Sequence, residues 1–163
     1  MNIFPLISVP TWIMLSLNIV LWPVFHFAIS NITLRTPDLK FKKDTWLYRI
    51  RGYEQNGRFY ENLLLIRVWK KWIPDGATLF NQGFKKKHLA GTQKSYIQHF
   101  IEETRRAEYS HILQILPCLT FFIFNEFWIA MIMVVYAFAF NMPLIWLQRY
   151  NRIRFQRLLT KLS

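Results

Sequence analysis

The distribution of charge constrains this chain more than any motif does. Of its 21 lysines and arginines, 16 fall within residues 35–111 and five within 149–161, leaving none in 1–34 or 112–147. A water-soluble domain scatters basic residues over all its surfaces, so basic blocks alternating with charge-poor apolar runs indicate a chain built for two solvents. The apolar fraction of 53% beside a net charge of +12 fits that reading. Nucleic acid is not expected as a partner, because no helix-turn-helix, zinc-finger or similar module is present. Anionic lipid attracting juxtamembrane basic residues accounts better for the charge. The only cysteine, Cys118, excludes an internal disulfide.

Residues 3–30 are apolar apart from scattered Ser, Thr, Asn and His26, and exceed the roughly 20 helical residues that cross about 30 Å of hydrocarbon. Signal peptides carry positive charge ahead of the apolar core; the first basic residue here is Arg35, so a retained span is expected. Residues 127–148 form a last span, with a basic tail over 149–163. Residues 109–125 either span by borrowing Tyr109 and its neighbours or re-enter, and the sequence leaves both open. The expected fold is mainly α, a single membrane domain over 1–163. It is a small integral membrane protein with two to three transmembrane or re-entrant helices and a basic cytoplasmic-side interfacial block over 35–111. Basic flanks behind span 1, before Ile112 and after Leu147 place the N-terminus outside and the C-terminus in the cytoplasm. Within the block, Tyr60, Leu63, Leu64, Val68 and Trp72 recur at helical spacing with Arg67, Lys70 and Lys71 between them. That pattern predicts a basic amphipathic helix in the headgroup plane, stopped by Pro74-Asp75-Gly76, although a core helix of a soluble domain reads the same way.

The residues able to do chemistry gather at the edges of the apolar runs. Thr104, Glu108, His111 and Ile115 share one helix face, and Glu108 and His111, three apart, can interact. A carboxylate can orient an imidazole acting as general base. A lone Glu-x-x-His is equally compatible with a structural role, and nothing completes a metal coordination sphere around it. Glu102 and Arg106 are expected to form an ordinary surface ion pair. Asn141, Gln148 and Arg152 make a polar stripe on the last span, and polar groups at that depth face protein or a wet cavity. His26 is expected to be a packed polar residue and His99 a surface one. There is no Gly-x-Ser-x-Gly elbow and no Gly-rich phosphate loop, and Cys118 sits among apolar neighbours that discourage a thiolate. His followed five positions later by Asp, as in glycerolipid acyltransferases, is absent. Direct attack by a deprotonated acceptor therefore suits a transferase of this kind better than a covalent enzyme intermediate.

Three strings occur in a telling order: Trp69-Lys70-Lys71-Trp72-Ile73-Pro74-Asp75-Gly76, then Glu103 through His111, then Asn141-Met142-Pro143 running on to Gln148-Arg149-Tyr150-Asn151-Arg152. With Arg35-Thr36-Pro37-Asp38 and His88-Leu89, they resemble the glycosyl-4,4′-diaponeurosporenoate acyltransferase family of staphyloxanthin-type carotenoid synthesis, over roughly residues 30–160. The resemblance implies a bacterial cell-membrane enzyme that moves a fatty acyl group to a sugar hydroxyl of a glycosylated carotenoid acid. It implies no cofactor, with acyl-CoA or another activated acyl carrier as co-substrate. Partners would be the acyl donor, the glycosylated lipid acceptor and membrane lipids; the oligomeric state stays open. Within the shared strings, His111 is the expected base and Glu108 its orienting group. Arg149, Arg152, Arg154 and Arg157 are by default inner-flank anchors, with gripping phosphate as the functional alternative; Arg149 and Arg152, with Arg105, would hold donor phosphate or the oxyanion. Gln148 and Asn151 are further substrate-binding candidates, and Asp75 with His88 forms a second catalytic pair. Acylation of another membrane glycolipid, and a non-catalytic scaffold or lipid-handling protein, remain alternatives.

Overall fold

A computed structural model describes residues 4–73 and 94–162; the Pro74-Asp75-Gly76 turn and the Lys85–His88 run lie outside the described residues. All regular structure among the described residues is helical. The helices are α1 (Thr11–Leu34), α2 (Arg58–Asn62), α3 (Ile66–Trp69), α4 (Lys94–Ile115) and α5 (Phe127–Lys161), joined by 3₁₀ segments. The chain is thus a mainly α, small membrane protein in which α1 and α5 are long and apolar enough to cross a bilayer. It divides into two compact units, Met1–Thr36 with Glu108–Ile145 and Pro37–Ala107 with Trp146–Ser163. These divisions fall within a few residues of the edges of the basic blocks, so the charge pattern and the packing partition the chain alike.

In the first unit, the 24 residues of α1 extend about 36 Å. The helix starts at Thr11 rather than near residue 3 because Pro10 precedes it in an extended conformation, and proline in a helix interior costs a hydrogen bond and a clash. Its surface is inverted relative to a soluble helix: Trp12, Ile19, Phe27 and Ile32 are 69, 73, 66 and 63% exposed, while Asn18 and Trp22 are buried. Such a face suits hydrocarbon. Trp22 anchors the core, stacking on Phe121 at 4.9 Å and donating Nε1–H to Met133 Sδ at 3.4 Å. Residues 109–125 do not form one apolar α-helix. Pro117 disfavours helical geometry at the residue before it, so α4 ends at Ile115 and the chain tightens into 3₁₀ turns over Leu116–Ile123. Asn125 closes this path through a reciprocal amide pair: Asn18 Nδ2 donates to Asn125 Oδ1 at 2.8 Å and Asn125 Nδ2 to Asn18 Oδ1 at 2.9 Å.

In the second unit the predicted amphipathic helix over 60–72 is broken. Leu65 adopts φ 47°, separating α2 from the four-residue α3, and Lys70–Trp72 is 3₁₀. A left-handed leucine costs about 1–2 kcal/mol. The compensating gain is burial of Ile66 with Tyr60, Tyr150 and Ile153. The apolar residues that share one face in the sequence pattern therefore part company: Tyr60 is 1% exposed, whereas Leu63, Val68 and Trp72 are 68, 61 and 78% exposed. The turn ahead of α2 holds three successive positive φ angles, at Gln55, Asn56 and Gly57 (98°), and only the last is conformationally free. The basic tail is not a separate segment, since α5 continues through it to Lys161.

Candidate active site

His111 stands on α4 one turn before its end. Its Nδ1 lies 3.1 Å from Gln114 Oε1 and 3.2 Å from Asn141 Oδ1. Both amides are oriented by backbone carbonyls. Asn141 Nδ2 donates to Ala137 O at 2.9 Å, and Gln114 Nε2 faces His26 O at 3.5 Å and donates to Ser30 Oγ at 3.0 Å. A carbonyl can only accept, so each amide must present its NH₂ there and its oxygen to the imidazole. Two acceptors at Nδ1 require that Nδ1 carry the proton. The neutral ring then has its lone pair on Nε2, the tautomer of a general base, and the two amide oxygens are placed to stabilise an imidazolium.

Glu108, one turn earlier, is 1% exposed and carries the only charge among the described buried side chains of this unit. The two groups that fix the Nδ1 tautomer are neutral amides. Asn141 belongs to the polar stripe that the sequence singles out. Gln114, absent from the expected set, stands three residues after His111, the same spacing that draws attention to Glu108.

The arginines nominated for phosphate lie in the second unit and point inward. Arg149, 7% exposed, donates Nε to Glu54 Oε1 at 2.8 Å and Nη2 to Glu54 Oε2 at 3.1 Å. It also reaches the carbonyls of Leu47 and Arg49, each at 3.0 Å. Arg152 is fully buried and donates to Tyr48 O at 3.1 Å. Arg105, 4% exposed, holds Asp44 at 2.7 Å and the carbonyls of Phe41 and Lys42 at 2.8 and 3.0 Å. Guanidinium forks thereby splint an irregular loop whose backbone has no helix or strand to satisfy it. Glu54, also fully buried, accepts from the Tyr60 hydroxyl at 2.5 Å. Burial raises the Glu54 carboxyl's proton affinity, but hydrogen bonds from Arg149, Tyr60 and the Arg51 amide outweigh it and hold the group below its ordinary range. Burial and then the Glu54 carboxylate push the Tyr60 hydroxyl well above its ordinary value. No sequence signal pointed to Glu54.

The surface ion pair expected between Glu102 and Arg106 does not form. Arg106 is 8% exposed and pairs with Glu103 at 3.1 Å and with Asp38, which the 3₁₀ turn after Pro37 presents to it. Glu102 accepts from Gln98 at 3.4 Å. Gln148 and Asn151 are half-buried on α5, and Asn151 borders an open surface depression with Arg154 and Arg157. Asp75 and His88 lie outside the described residues.

The structure thus defines a helical membrane protein with a histidine whose Nδ1 faces two amide oxygens. The sequence model of glycosyl-4,4′-diaponeurosporenoate acyltransferases matches residues 44–161, and the chain belongs to that family, which makes it an acyltransferase. Two relatives with that name, from Staphylococcus aureus strains bovine RF122 / ET3-1 and USA300, are each 34% identical to it over 140 residues, covering 85% of this chain and 83% of theirs. No solved structure matches the chain.

Proposed function

We propose that this protein moves a fatty acyl group from an activated acyl donor, such as acyl-CoA, to a sugar hydroxyl of a glycosylated carotenoid acid, with His111 as the base. The acceptor is taken from the names of the relatives. The reading of the base is carried by one observation, the Nδ1–H tautomer that Gln114 and Asn141 impose. In this scheme the sugar hydroxyl gives its proton to Nε2 as its oxygen bonds to the acyl carbonyl carbon. The donor's leaving group then departs and takes the proton back, regenerating the neutral ring. No covalent acyl-enzyme is needed, in keeping with the lack of an activated serine or thiol in the sequence. Glu108, buried one turn away, acts as a positioning residue for the same helix face. The basic segments flank the cytoplasmic ends of the spans in a cell-membrane protein with its N-terminus outside, following the positive-inside rule.

The test is His111→Gln in proteoliposomes supplied with acyl-CoA and the glycosylated carotenoid acid. General base catalysis is worth roughly 10²–10⁴-fold, so acylated product should form slower by that factor while the protein remains monodisperse. Full activity in this variant would remove His111 from the chemistry.

A further inference from the structure

The inward arginines contrast with a second set of cations that stays exposed. Arg58, Arg154, Arg157 and Lys161 are exposed in the second unit, and among the described residues no carboxylate forms an ion pair with any of them. Arg154, Arg157 and Lys161 recur three and four residues apart, so they share one face of α5. They border an open surface depression along α5 together with the Asn151 amide and the apolar Phe155. Arg157 also borders a cleft of about 340 Å³ made by Arg58 and the left-handed turn at Gln55 and Asn56.

The cations crowd further around Tyr150. Lys70 Nζ lies 5.4 Å and Arg154 Cζ 5.6 Å from its ring centroid. The Lys70 ammonium is pushed below its ordinary value, first by burial and then by Arg154 and Arg67. The carboxylate among these groups, Glu61, is taken up by Arg67 at 2.7 Å and by the Tyr150 hydroxyl at 2.7 Å. Like charges gathered this closely repel unless an anion joins them. Two guanidinium forks beside an amide donor match the tetrahedral oxygens of phosphate.

We propose that the Arg154–Arg157 face of α5 is a phosphate-binding site, taking the phosphate of a soluble donor or of a lipid headgroup. This assigns phosphate to exposed arginines, of which Arg157 makes one contact, Nη1 to Asn56 O at 3.4 Å, in place of the buried Arg105, Arg149 and Arg152. The apolar wall at Phe155 and Leu158 accommodates the carbon chain next to a phosphate ester. The site does not depend on His111 acting as a base, because binding is measured without turnover.

The experiment compares the full chain with an Arg154→Gln/Arg157→Gln variant in nanodiscs. One arm titrates coenzyme A into phosphatidylcholine discs by calorimetry. The other counts phosphatidylglycerol retained on the protein by native mass spectrometry after extraction from mixed discs. Loss of two charge-assisted contacts should weaken whichever ligand binds by at least about tenfold. Weakened coenzyme A binding assigns the site to a soluble phosphate donor. Lost phosphatidylglycerol retention without coenzyme A binding assigns it to a lipid headgroup. Binding unchanged in the variant, or absent for both ligands in the parent, overturns the proposal. Both side chains are exposed, and an unaltered melting curve will show that the variant folds.

Discussion

The two units bury polar groups of opposite kinds. In the first, the described buried polar side chains are Asn18, Thr33, Gln114, Asn125 and Asn141, with Glu108 as the one charge. In the second they are Glu54, Arg105, Arg106, Arg149 and Arg152, with Thr104 as the one neutral group. The outer surfaces differ less cleanly: α1 presents tryptophan, isoleucine and phenylalanine outward, and the second unit exposes Trp46, Leu63 and Trp72 as well as its basic stripe. An amide can satisfy both its donors and its acceptor on protein neighbours with no net charge, so it survives where water is scarce. An ion pair tolerates burial when backbone carbonyls and a partner complete its shell, as they do around Arg149. Each unit thus uses the polar group its solvent allows, and in the first two amide oxygens face the histidine's Nδ1.

The largest effect should come from breaking the ionic side of this contrast. Arg149→Ala would leave Glu54 buried without its fork and expose the carbonyls of Leu47 and Arg49 to no donor. Removing one member of a buried pair costs about 3–5 kcal/mol. The variant should melt far earlier in detergent, with proteolysis starting within residues 41–57. An unchanged melting temperature would mean that the pair contributes nothing to this unit.

The amide side should give less. Asn125→Leu strands the Asn18 amide, a loss of roughly 1–2 kcal/mol by the hydrogen bonds removed. Replacing both, Asn18→Leu with Asn125→Leu, removes the stranded group and should restore most of that stability, as measured by thermal unfolding in nanodiscs. If the double variant is instead the sum of two losses, the pair is not a closed unit and the contrast with the ionic region weakens.

The two spans were legible in the sequence because they are written in net charge and apolar length, which act over tens of residues. The division into two compact units was not, since the same pattern reads as one membrane domain over 1–163. His111 and Asn141 were also readable, His111 by its spacing to Glu108 at the edge of an apolar run and Asn141 as a polar residue within one. What was not readable depends on pairing at long range. Glu54 looks like any loop carboxylate until Arg149, 95 positions away, meets it. The amphipathic spacing of Tyr60 to Trp72 suggested one helix, and the left-handed Leu65 overrode it for the sake of burying Ile66. Arg105, Arg149 and Arg152 read as phosphate ligands because sequence shows a guanidinium's charge but not the carbonyls that occupy it.

Acid provides the gentlest test, since protonation of Glu54 removes a charge and leaves every atom in place. Its folded proton affinity is held below the ordinary value of 4.5. The stabilisation it contributes is therefore complete above about pH 4.5 and fades as pH drops through the lower, folded value. The loss should be smaller than that of Arg149→Ala, because a protonated carboxyl still accepts hydrogen bonds from the arginine. Hydrogen-exchange protection measured at about pH 7 and about pH 3 should fall first over residues 47–60. The amides of α1 around Asn18 should keep theirs, for no carboxylate titrates in the pair that holds them. Equal loss in both places would show that acid acts on the chain as a whole, and the ionic core would no longer be what sets the second unit's response to pH.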